Sequence, residues 1–408
     1  MTYLKKFLFL GKYIITYIML EAISKNQKNF LLQQKKFRSY TGILEKSVTI
    51  LNEKSILSIS GLRYTWITEL ASEIVQKTWM QENFFYFNPY IDTYGRIKSE
   101  KDLILLMDYK IRTWDDIKII ILEDCNIIDG IKNFIINLYK SKNFKIVILW
   151  NNIKIDWVEE VQLFSLSHKD SINSSKKQYK YGWLPHVKVV PDASYKKILL
   201  NAFLSNIIEK EIVIPYNIKS TENFKKALSF LAYENKSFSL REIHRWLEEH
   251  GVYISLITLI EYINIATTTK IIYRLEVYDF KKNTSIHTNV LYHFWDIWIR
   301  NTLSNYDTIM YDNVISNELL LHWYELYTWK NGAFRFDIYA KKWNISFWIA
   351  CTDSDDKIEV RKLARKLAKV PWLDKKYVIV QNKEKLAMRK FFENGVQICE
   401  VSEFIENL

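Results

Sequence analysis

The stretch SILSISGLRYTWITELA (Ser55–Ala71) runs from apolar alternation through a glycine into a helix-like segment. Gly61 and Thr68 fall at the two ends of the phosphate-loop layout G-x-x-x-x-G-K-[ST]. Trp66 takes the place of the second glycine and Ile67 that of the lysine. That lysine reaches the β- and γ-phosphates as a point charge, and isoleucine supplies neither charge nor donor. An indole crowds a loop whose backbone N–H groups must approach phosphate closely. Thr68 keeps a hydroxyl able to reach Mg²⁺. With two fixed positions left, the match is weak by itself, and its context decides how it reads.

That context is a set of short, nearly continuous apolar runs: SILSIS (55–60), NFFYF (83–87), IKIIIL (117–122) and FKIVIL (144–149). Runs of this kind are buried parallel strands. Between them lie the helix-length segments WITELASEIVQKTW and IKNFIINLYKS. The order predicts a doubly wound α/β domain with a parallel sheet, of the P-loop NTPase-like type. The third run ends IIILED (119–124), where Glu123 and Asp124 fit a Walker B strand in which one carboxylate orients Mg²⁺ and its neighbour positions water. Their order, Glu then Asp, is the reverse of the usual one. A buried strand ending in two solvated acids fits the same text, and spacing alone does not separate the two.

Length and composition set the wider frame. A chain of 408 residues can form two or three domains, each with its own core. The three scattered cysteines (Cys125, Cys351, Cys399) form no metal or disulfide pattern, which predicts a reducing, cytoplasmic setting. A net charge of +12 allows nucleic-acid binding. It is equally the product of lysines spread along a chain rich in Ile, Lys and Asn. The N-terminal apolar piece Tyr13–Leu20 is too short to span a bilayer. It reads as an N-terminal helix, an upstream extension or a signal core, and no stable membrane insertion is expected. Glycine is scarce, at 9 where about 29 would be usual, and tryptophan is abundant, at 14.

Residues 166–182 are polar and rich in Ser and Lys, an exposed linker. From Tyr195 the text turns helical, and SLREIHRWLEEHG, the turn GVYI, SLITLIEYINIA and two strands around a polar turn follow the order of a winged helix. Ser255, Thr258 and Tyr262 on its second helix, with Lys281 and Lys282 in the wing, are candidates for DNA phosphate contacts. The helix is poor in base-reading side chains, and a purely structural role fits equally. The C-terminal part reads helix (NVISNELLLHWYEL), strand (RFDIYA), strand (ISFWIAC), helix, strand (KKYVIVQ) and helix, a small α/β domain. Glu318 and Asp337 there match the acids of a PD-(D/E)XK nuclease site. The next strand lacks the further acid and lysine needed to hold a metal and activate water, so the expectation is a nuclease-like scaffold without chemistry.

Taken in order, these motifs resemble those of the prokaryotic AAA-type (AAA+) P-loop ATPases that carry a C-terminal domain related to PD-(D/E)XK nucleases. GLRYTWIT resembles the family's phosphate loop, IIILEDCN its Asp-Glu-hydrophobic-Gln strand end, and VILWNN (147–152) its sensor strand. GWLPHV (182–187), DIWIRN (296–301) and SNELLLHWYELYTW…RFDIYA resemble its Gly-Gly-Leu-Pro, Asp-x-Gly-Leu-Arg-Asn and Arg-Gly-Tyr-Glu…Glu-Ile-Asp signatures. The resemblance covers Asn29 to Leu408. It implies an N-terminal extension (1–28), a P-loop AAA-type ATPase domain (29–165), a linker (166–194), a helical and winged-helix domain (195–295) and a nuclease-like domain (296–408). It also implies ATP and Mg²⁺ near Gly61, Trp66, Ile67, Thr68, Glu123 and Asp124, with Asn151 as the sensor-like residue.

Trp66, Trp150, Trp183, Trp298 and Trp323 each fall on a glycine of that pattern. Trp343, in the turn KKWN, occupies another glycine-like position, whereas Trp246 lies inside a helix where glycine would be costly. UGA codons translated as tryptophan where glycine is native would explain the pattern, and drift in a decayed paralogue is the rival explanation. The sequence thus leads to an ATPase-like protein that binds ATP weakly with little or no hydrolysis. The alternative is a catalytically inactive module for DNA or a protein partner.

Overall fold

The structure is a computed structural model. It describes residues 19–33, 41–65, 67–78, 83–92, 95–113, 116–149, 155–163, 178–182, 184–234, 236–279, 282, 284–304, 310–331, 334–354, 356–370, 375–386 and 392–408. These belong to two compact units, Met1–Leu163 and Phe164–Leu408. Trp66, Trp150, Asn151, Trp183 and Lys281 lie outside the described residues.

The first unit runs α1 (19–32), α2 (Thr41–Lys54), β1 (Ile56–Ser60), α3 (Ile67–Lys77), β2 (Phe84–Phe87), α4 (Glu100–Thr113), β3 (Ile119–Glu123), α5 (Ile131–Ser141), β4 (Lys145–Leu149) and β5 (Glu160–Gln162). The strands form one sheet in the order β2-β3-β4-β1-β5, and every pairing is parallel. β2 and β3 are buried along their whole length, the expected state of a parallel sheet covered on both faces. One face packs Phe85, Phe87, Ile120, Leu122, Ile146 and Ile148 against Leu103 and Leu106 of α4 and Phe134, Ile135 and Leu138 of α5. Fully burying such a side chain contributes about 1.5–3 kcal/mol. β4 lies between β1 and β3, as the registers Ile56↔Ile146 and Ile121↔Val147 show. At ordinary strand spacing the carboxyl ends of β1 and β3 are therefore about 10 Å apart.

The second unit begins with the short helices α6 (Gln178–Tyr181) and α7 (Pro185–Lys188), then α8 (Ala193–Ile207), a π-helical turn (Ile208–Val213) and α9 (Ile214–Tyr216). α10 (Thr221–Tyr233), α11 (Leu240–Glu249) and α12 (Leu256–Thr268) follow, then β6 (Ile272–Asp279) and β7 (Thr284–Phe294). Next come α13 (Ile297–Ser304), α14 (Tyr311–Leu321), β8 (Glu325–Asn331), β9 (Phe334–Lys342), β10 (Ile345–Thr352), α15 (Lys357–Ala368), β11 (Lys375–Val380), β12 (Phe392–Glu393), β13 (Val396–Glu400) and α16 (Val401–Glu406). A Ser239/Glu242 capping box starts α11, and the Ser255 side chain caps α12.

Two features of this unit differ from the sequence reading. The helix expected over 313–326 stops at Leu321, and ELYTWKN is a strand. β6 and β7 form the expected antiparallel hairpin, but β6 also pairs in parallel with β8, through Glu276↔Tyr327 and Val277↔Thr328. The hairpin is thereby the edge of an eight-stranded mixed sheet, β12-β13-β11-β10-β9-β8-β6-β7.

Candidate functional site

In an open parallel sheet, ligands bind beyond the carboxyl ends of the strands. Gly61 follows β1 at that edge. A Cβ on Gly61 would lie 2.9 Å from the Leu163 carbonyl oxygen and 3.0 Å from Thr65 Oγ1, so close packing requires glycine there. The loop then turns inward. Thr65 N–H donates to Leu62 O (3.1 Å), Thr65 Oγ1 donates to the same oxygen (2.5 Å), and Ile67 N–H donates to Thr65 O (2.9 Å). The Ile67 side chain, at the lysine position, is buried.

Thr68, in the first turn of α3, donates from Oγ1 to Glu123 Oε1 at 2.6 Å. The bond joins the helix after the loop to the last residue of β3, with the end of β4 between the two strands. Tyr86 of β2 donates its hydroxyl to Glu123 Oε2, and the Asn88 side chain adds a further hydrogen bond to this carboxylate. Burial pushes the Glu123 carboxyl up from its ordinary range, against the lowering effect of these donors. Burial, and then the charge of Glu123, pushes the Tyr86 phenol well up. Glu69, one residue beyond Thr68, is also buried, and desolvation raises it to about 7. Asp124 adopts φ +52, donates its N–H to Leu149 O (3.0 Å), and accepts from Arg63 Nη1 at 2.9 Å. The Arg63 guanidinium lies 5.3 Å from the centre of the Tyr90 ring. α1 reaches this edge through Gln27, which exchanges two 2.9 Å hydrogen bonds with the Asn88 backbone.

The structure thus brings Gly61, Ile67, Thr68, Glu123 and Asp124 to one edge. Arg63, Glu69, Tyr86 and Asn88 also belong to it, and the sequence reading did not single them out. Tyr86 carries the one polar group in an otherwise apolar strand, and that was a readable signal. The donor set is mixed in its fit to a magnesium nucleotide. The Thr68 hydroxyl and the Glu123 carboxylate are hard oxygen ligands of the kind Mg²⁺ takes. The buried Ile67 does not fit a phosphate, and two loop amides are already donated to loop carbonyls.

The second unit scatters its candidates. Ser255 is exposed, but its Oγ accepts from Thr258 N–H (3.1 Å) and meets Thr258 Oγ1 (2.9 Å), which is helix capping. Tyr262 is not on the exposed face: it is buried and packs edge-on against Phe224, because it shares the inward stripe of Leu259, Ile263 and Ala266. The outward face of α12 instead shows Ile257, Ile260 and Glu261. Lys282 is exposed beyond β6, its N–H donating to Asp279 Oδ1.

Glu318 is buried on α14, and Asp337 on β9 accepts the Cys351 N–H at 2.6 Å. Asp312 and Asp353, which the sequence reading did not single out, join Asp337 in raising the Cys351 thiol, although burial is the larger cause. Among the described residues no group of three or more His, Cys, Asp or Glu side chains is placed to hold a metal. Among the same residues no helix is long and apolar enough to cross a membrane.

No protein-family model matches the chain. A Haemophilus influenzae protein, described only as uncharacterized, is 22% identical over 346 residues, covering 78% of this chain and 84% of its own length. Among solved structures, a Walker-type ATPase of Pyrococcus abyssi has a TM-score of 0.46 at 11% identity, covering 67% of this chain and 99% of that one. The ORC1 protein of Aeropyrum pernix, in complex with DNA, has a TM-score of 0.30 at 12% identity, covering 68% and 96%.

Proposed function

We propose that the chain is an ATPase-like protein of the P-loop kind that binds magnesium ATP weakly at Gly61–Thr68 and hydrolyses it little or not at all. The observation that carries this reading is the Thr68–Glu123 hydrogen bond of 2.6 Å, which couples the helix after the loop to the acid at the end of β3. Thr68 and Glu123 are the residues that would hold Mg²⁺, whose chemistry there is neutralisation of phosphate charge. Weak binding follows from the loop. It must give up the Thr65 and Ile67 amide bonds before those N–H groups can serve a phosphate, and Ile67 brings no charge. Slow hydrolysis follows from the acids, since Glu123 is buried under Thr68 and Tyr86 and Asp124 is ion-paired to Arg63. Asn151 completes the reading as the sensor-like residue. Equilibrium dialysis with labelled ATP and Mg²⁺ tests it: a dissociation constant of about 1 mM is expected. Absence of retention at several millimolar nucleotide would overturn it.

A second reading makes the second unit a catalytically inactive module for DNA or a protein partner, using its winged-helix and nuclease-like parts. The outward Ile257 and Ile260 of α12 favour a protein partner over duplex DNA for the winged-helix part. A salt-dependent shift of duplex DNA would reverse that preference.

We also infer that tryptophan stands in for a native glycine at several positions, and two backbone angles support this. Trp323 has φ +64 and directly follows the last residue of the α14 cap. Its N–H bonds Leu320 O and the Tyr324 N–H bonds Leu319 O, each at 3.0 Å, the Schellman pattern whose left-handed position is usually glycine. Trp343 has φ +49 as the first residue of the two-residue turn between paired Lys342 and Ile345, where hairpins favour glycine. Both indoles are exposed, so neither is held in place by burial. Trp298 differs: its indole fills a fully buried site, although its Nε1–H has no hydrogen-bond partner among the described residues. UGG codons at 66, 150, 183, 298, 323 and 343 would end the recoding explanation.

A further inference from the structure

We propose that Arg63 is the phosphate-directed cation of this loop and that its ion pair with Asp124 is the latch a polyphosphate must displace. This rests on the nucleotide reading above. Between Gly61 and Thr68, Arg63 is the one residue with a cationic side chain, because Ile67 fills the lysine position. Its guanidinium is not loose on the surface. It is 18% exposed, bonded through Nη1 to Asp124 Oδ2 at 2.9 Å, and backed by the face of Tyr90. The partner carboxylate is fixed in turn, since the Asp124 backbone is bonded to the end of β4 and its neighbour Glu123 accepts from Thr68. The cation, the hydroxyl and the two acids therefore converge where β1 and β3 end.

Guanidinium recognises carboxylate and phosphate with the same planar fork of donors. A triphosphate offers that fork several negative charges where Asp124 offers one. Exchange would release Asp124, a hard oxygen ligand suited to a divalent cation, so the phosphate group and the metal are expected to bind cooperatively. Position 67 is then not the loop's only possible source of positive charge, which the sequence pattern alone would not suggest.

The test is equilibrium dialysis of the full chain with labelled ATP, and separately with inorganic tripolyphosphate, each with and without Mg²⁺. Wild type is compared with Arg63→Ala, Arg63→Lys and Asp124→Asn, with melting curves to confirm folding. Arg63→Ala is expected to weaken both ligands about tenfold or more, as loss of a charge-assisted bond does. Arg63→Lys should fall between, keeping the charge without the fork. Asp124→Asn should tighten tripolyphosphate binding in the absence of Mg²⁺ by releasing the latch. Wild-type binding with unchanged affinity in folded Arg63→Ala would overturn the Arg63 assignment and leave the nucleotide reading intact. Failure of wild type to bind either ligand at several millimolar would remove both.

Discussion

Glu69→Gln should change how the stability of the first unit depends on pH. Glu69 is buried in the first turn of α3, and desolvation raises its carboxyl from 4.5 to about 7. In the unfolded chain it ionises near the ordinary value, so the unfolded state gives up its proton first as pH rises. Stability from this group is therefore fully present below pH 4.5, falls as pH rises toward 7, and is level above that. The interval of 7 minus 4.5 units corresponds to about 3 kcal/mol. Glutamine keeps the shape without the ionisation, although its buried amide imposes a cost that does not vary with pH. Urea unfolding at a series of pH values, for both proteins, gives the difference in stability directly. That difference, variant minus wild type, should rise by about 3 kcal/mol between pH 4 and pH 8 and be flat outside that interval. A constant difference across the series would refute the buried, uncharged placement of Glu69.

Thr68→Val removes the donor to Glu123 and leaves a buried carboxylate oxygen short of a partner, so the melting temperature should fall by the equivalent of about 1–3 kcal/mol. Trp66→Gly combined with Ile67→Lys should tighten magnesium ATP binding about tenfold or more in a dialysis titration, by easing the close backbone approach and adding a second phosphate-directed charge to that of Arg63. Trp323→Gly and Trp343→Gly should each stabilise the second unit by about 1 kcal/mol in chemical unfolding, since left-handed backbone is costly for a residue with a Cβ and both indoles are exposed.

The parallel sheet was legible because β1 to β4 are largely buried and so read as nearly continuous apolar runs. β5 (EVQ), β8 (ELYTWKN) and β13 (VQICE) were not, because short strands of mixed polarity exist only through the neighbours they pair with. Residue 323 hides a helix stop of the sort a glycine would have announced. At the candidate site, spacing was enough to bring Gly61, Thr68, Glu123 and Asp124 together. Glu69 escaped because it shares a polar stripe of α3 with Glu73 and Gln76, a spacing that reads as solvent-facing although Glu69 itself is buried, and Arg63 and Asn88 escaped because hydrogen bonds between distant loops leave no periodic trace. Tyr262 was misplaced although Leu259, Ile263 and Ala266 lie at helical spacing around it, a pattern that marks the inward face.

Hydrogen–deuterium exchange of the full chain, with and without several millimolar magnesium ATP, addresses the loop most directly. Slower exchange is expected in peptides covering Gly61–Thr68 and Ile119–Asp124, where the loop amides and the acid strand would engage the ligand. Unchanged exchange in both segments, or a change confined to the second unit, would contradict the assignment of a nucleotide site to this loop.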